Sequence, residues 1–86
     1  MQDKTQKLYQ AISNILCNEK KKKGIKYTEL CYENDIPTST YDDIINCKNK
    51  ASFVNIAKII IGLGLNFEEF GKMLDKELGE NFNFID

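Results

Sequence analysis

Apolar residues recur along the chain at spacings of three and four. Leu8, Ala11, Ile12, Ile15 and Leu16 fall on one side of a helix predicted over about residues 4–23. Its last turn is Lys20 to Lys23 and Gly24 follows, so cations meet the negative end of the helix dipole and a glycine is in place to close it. Thr28 is a good N-cap for a short second helix, about 28–34, whose buried side is Leu30 and Cys31. The "NDIP" stretch then breaks that helix, because Pro37 disfavours helical geometry at Ile36. A third helix, about 38–46, carries Tyr41, Ile44 and Ile45 as its apolar stripe. After the "NCKNKA" loop, Ser52 caps a fourth, about 52–62, with Phe53, Ile56, Ala57, Ile60 and Ile61 inward and Gly62 and Gly64 at its end. Asn66 caps a fifth, about 67–78, with Phe67, Phe70, Leu74 and Leu78 inward. The tail 79–86 sets Phe82, Phe84 and Ile85 in a polar frame, suited to folding back, to pairing with a second subunit or to fraying.

The pattern predicts one all-α domain over 1–86, since 86 residues suffice for a single core and not for two. Composition adds little to that, with 42% apolar and 29% charged residues. Charge adds more, because the net value of −1 hides an asymmetry. Residues 1–50 hold nine Lys against seven acids, and residues 51–86 hold three against six. A nucleic-acid surface, if there is one, belongs to the first half, and the acidic C-terminal half could meet a protein partner.

Two residue types are missing. Without Arg, any phosphate contact must come from Lys, polar side chains or backbone N–H groups. Without His, the commonest general base and the usual zinc ligand are both gone. Cys17, Cys31 and Cys47 are odd in number and form no CxxC, which reads as reduced structural thiols in a cytoplasmic protein with no metal or cofactor. Asp42 and Asp43 are adjacent, so on a helix they point about 100° apart and cannot share one substrate. No catalytic residues are expected. The longest apolar run, "IIIGLGL", is too short for a bilayer, and no membrane association is expected.

The order of residues in "YTELCYENDIPTSTYDDIINCKNKASFVNIAKIIIGLGLNFEEF" resembles the XRE family of Cro/CI repressor-like domains. In that family a polar residue opens the second helix, a Leu-Ala pair packs it and a Gly-Val-Ser type turn follows. The third helix then ends in an Asn-Gly-Lys type loop. Here those places are taken by Thr28, by Leu30 and Cys31, by Asp35, Ile36 and Pro37, and by Asn46, Cys47 and Lys48. The resemblance implies a five-helix lambda repressor-like DNA-binding domain with a helix-turn-helix. The implied protein is a small repressor-like transcriptional regulator of a bacterium, phage or mobile element, acting on double-stranded DNA as a homodimer. It puts Thr38, Ser39, Thr40 and Asp43 toward base edges, and Thr28, Asn46, Lys48, Asn49 and Lys50 toward phosphates. The dimer surface expected with it is Phe70, Leu74, Leu78 and 82–85, residues that would serve equally as core.

Two departures bear on the backbone. Asp35 and Cys47 stand where the family has Gly, so both must tolerate whatever conformation those turns require, at a cost if φ is positive. The absence of any cation from the third helix keeps a second function open, a helix-turn-helix module that docks its acidic third helix on another protein.

Overall fold

The computed structural model describes residues 4–48 and 52–79, which form five helices and no strand. They are α1 (Lys4–Lys23), α2 (Tyr27–Glu33), α3 (Thr38–Ile45), α4 (Phe53–Gly62) and α5 (Phe67–Leu78). The bundle is compact. α1 lies against α3 and α5, α2 against α3 and α4, and α4 against α5. Leu16, Ile59 and Ile60 are fully enclosed at its centre, with Leu30, Cys31, Ile44 and Leu63 around them.

The first four helices end through the same hydrogen bond. A residue with positive φ turns the chain, and the next backbone N–H donates to the carbonyl five residues back, satisfying a carbonyl that the helix leaves orphaned. Ile25 donates to Lys20 (3.2 Å), Ile36 to Cys31 (2.9 Å), Lys48 to Asp43 (2.9 Å) and Leu65 to Ile60 (3.1 Å). The turning residues are Gly24 (φ 66°), Asp35 (φ 55°), Cys47 (φ 62°) and Gly64 (φ 81°). Asp35 and Cys47, the two side chains standing in glycine's usual place, are thus both left-handed, a conformation Asp tolerates better than Cys. After three of the turns an apolar residue, Ile25, Ile36 or Leu65, returns to the core, as this motif commonly requires. After α3 the corresponding residue is Lys48, which is exposed.

Ser52 and Asn66 cap α4 and α5, accepting hydrogen bonds from the backbone N–H groups of Asn55 (3.2 Å) and Glu69 (2.8 Å). Glu69 returns a bond to the Asn66 N–H (3.0 Å), completing a capping box. Thr28 does not cap α2. That helix starts at Tyr27, with Lys26 as its cap residue and no side-chain bond, and Thr28 is exposed in its first turn. The reason is packing: the Tyr27 ring stacks on buried Tyr41 of α3, with centroids 6.0 Å apart, which draws Tyr27 into the helix.

The apolar stripes of α4 and α5 also differ from expectation. Ile56, Ile59 and Ile60 face the core, whereas Phe53 and Ile61 point outward, as does Phe67 at the start of α5. α4 is apolar on nearly every side, so periodicity alone does not select its buried stripe. Tertiary packing does. At Gly62 a Cβ would fall on the Asn34 side chain and 2.9 Å from Leu30 Cδ1, so α4 meets α2 at closest approach there.

Candidate nucleic-acid interface

α3 is held from both ends. On its N-terminal side, the Lys58 amine reaches from α4 to donate to the Asp35 carbonyl (3.2 Å) and lies 4.0 Å from its carboxylate. On its C-terminal side, the buried Ser13 hydroxyl of α1 donates to the Ile45 carbonyl (2.7 Å), and the Cys47 thiol lies 3.5 Å from Gln10 Oε1. The inner face of the helix is Tyr41 and Ile44. Burial, and then the neighbouring Cys17, Cys31 and Asp42, push the Tyr41 phenol up to about 12. The Cys31 thiol is raised by burial and by Asp42. All three cysteines are free thiols.

The outer face is one polar strip. Thr38 and Ser39 are adjacent in the first turn, Asp42 follows them by four and three residues and Asn46 by four more, so these exposed residues occupy the outer side of the helix. Thr40 and Asp43 are half-buried on its flank. Asp43 is an ion-pair partner of Lys48 (3.9 Å), while Asp42 stands in the strip itself. The Asn46 amide donates to the Asp42 carbonyl (2.9 Å), closing the end of the helix with its own side chain. The predicted base-reading residues therefore divide, with Thr38 and Ser39 on the strip and Thr40 and Asp43 beside it. Asp42, which the sequence reading left off that set, shares the strip with them at a spacing of three or four residues from each.

Of the residues predicted at phosphates, Thr28, Asn46 and Lys48 are exposed, and Asn49 and Lys50 lie outside the described residues. Lys48 leaves the end of α3 where the other helix ends bury an apolar anchor. The lysine run is used differently. Lys23 donates from its amine to the Leu63 carbonyl at the end of α4 and pairs with Glu19 at 3.9 Å. It lies ten residues beyond Ser13, about 15 Å along α1 from where α3 ends. Lys26 is exposed at the start of α2, next in the chain to Tyr27, whose ring lies on Tyr41. Tyr32 on α2 is 89% exposed and packs against nothing in the core.

Chemically, the strip offers hydroxyls that both donate and accept, one amide and one carboxylate, with a lysine at each end of the α2–α3 unit. None of the five helices is long and apolar enough to cross a membrane. The chain matches no family model, no curated protein and no solved structure.

Proposed function

We propose that the protein is a sequence-specific DNA-binding regulator that uses α2 and α3 as a helix-turn-helix of the lambda repressor-like kind, with α3 entering the major groove. The observation that carries this reading is the α2–α3 unit itself. Two short helices are joined by a turn whose left-handed residue is Asp35, and the second presents only polar side chains outward. Lys58 and Ser13 hold the two ends of α3, which suits groove reading, because base edges are read only from a fixed register.

Thr38 and Ser39 stand at the N-terminal end of α3, the part that meets base edges in this motif, and their hydroxyls suit any base. The thymine methyl suits the Thr38 methyl. Lys48 and Lys26 neutralise phosphate on either side, with Thr28, Asn46, Asn49 and Lys50 assisting. No catalytic or cofactor chemistry is part of this reading.

The test is a salt titration on duplex DNA. Replacing Lys48 by Ala lowers the slope of log K against log salt by about 0.9 if that lysine releases one counterion, and weakens binding to all sequences alike. An unchanged slope removes Lys48 from the interface.

One observation favours a second reading. Asp42 is exposed at the centre of the strip and no cation lies on α3, so a basic protein surface would suit this face as well. Retained folding with no affinity for duplexes at low salt selects that reading.

A further inference from the structure

α4 keeps an apolar face that its own fold does not cover. Phe53, Val54 and Ile61 on α4 and Phe67 at the start of α5 are 70%, 63%, 54% and 52% exposed. They form one patch, because the Phe53 and Phe67 rings stack with centroids 6.1 Å apart, and Phe53, Val54, Ala57 and Ile61 line one shallow groove with Asn34 and Lys58. The α5 stripe cannot play this part in the way the sequence suggested. Phe70 is buried, and Met73 and Leu74 pack against the core. Phe82, Phe84 and Ile85 lie outside the described residues.

We infer that the outer face of α4 with Phe67 is a self-association surface, occupied by the same face of a second copy of this chain. Two features of the patch select that occupant. The first is charge. Lys58 is paired with Asp35 at 4.0 Å and Lys72 with Glu68 at 3.7 Å, so each of these two lysines beside the patch has an acid partner, which lowers the repulsion between two copies.

The second is area. With about 150–250 Å² for an aromatic side chain and somewhat less for Val and Ile, the four exposures leave roughly 400 Å² of apolar surface per copy. Pairing two such faces removes roughly 800 Å², and a polar rim brings the total to the ~1,000–1,200 Å² at which weak specific interfaces begin. The face thus matches the size of a weak, reversible interface. The inference does not depend on DNA.

Sedimentation equilibrium of the full chain without DNA tests it. The expected weight-average mass rises with concentration from 9.9 kDa toward twice that value. Val54→Glu and Ile61→Lys, made separately at exposed positions, each hold the chain at the monomer mass with an unchanged helical circular dichroism spectrum. A chain that stays monomeric into the hundreds of micromolar overturns the inference, as when its own residues 80–86 cover the face. So does a dimer that both variants leave intact. Because DNA is absent, a monomer that still binds duplexes sinks only this surface, and a dimer that binds none sinks only the DNA reading.

Discussion

α3 and α4 follow one another in the chain, and both give an inner face to the same core, yet their outer faces have opposite chemistry. Thr38, Ser39, Asp42 and Asn46 make the outside of α3 polar throughout. Phe53, Val54 and Ile61 make the outside of α4 apolar. The core cannot account for the difference, since Ile44 on one helix and Ile59 on the other are both buried in it. An outer face is free to follow a partner, and on the reading proposed above the contrast sets hydrogen bonding on one against burial on the other.

The largest effects test the shared part of that comparison. Ile44→Ala and Ile59→Ala should each destabilise the fold by about 2–5 kcal/mol, measured by denaturant unfolding. A loss confined to one helix would show that the two inner faces are not equivalent. They do differ in one respect, because Tyr41 on α3 titrates and the inner face of α4 holds no group that does. With its phenol raised to about 12, the neutral form is the one the fold favours. Its contribution is fully present below the ordinary phenol value near 10 and is lost as pH rises from there through about 12, amounting to roughly 2–3 kcal/mol. Tyr41→Phe should remove that part of the alkaline dependence and leave the neutral-pH fold in place.

Smaller effects separate the outer faces. Thr38→Ala or Ser39→Ala should cost about 1–3 kcal/mol in discrimination between the preferred site and a mismatched one, with no change in stability. Cys47→Gly should raise stability by about 1 kcal/mol, since a thiol-bearing residue is replaced by one that takes φ 62° freely. Asp35→Gly should gain less, because Asp is among the residues that accept this conformation. Least of all, Asp42→Asn should tighten binding to any duplex by a few-fold at low salt, by taking one negative charge from the strip.

Much of the fold was legible because its signals are local. Helical spacing marked five helices, Ser52 and Asn66 announced their caps, and the glycine-like places at 35 and 47 pointed to the two left-handed residues. What was missed depends on contacts between distant residues. Thr28 lost the cap position to a stacking contact between Tyr27 and Tyr41. Lys23 is drawn to a carbonyl forty residues away at Leu63. Phe53, Ile61 and Phe67 read as inward because α4 offers apolar residues on almost every side, and only packing against Leu30 and Asn34 at Gly62 decides its rotation. The placing of Asp42 on the outer strip and of Asp43 beside it, paired with Lys48, likewise depends on the rotation of α3.

Selection of binding sites from a randomised duplex library is the measurement that bears most directly on the contrast between the two outer faces. The proposed role of α3 predicts enrichment of one sequence, and pairing through α4 predicts that it is a palindrome with half-sites about one helical turn apart. A library that emerges unenriched, with binding still weak at low salt, would contradict the role given to α3 and leave its acidic strip to a protein partner.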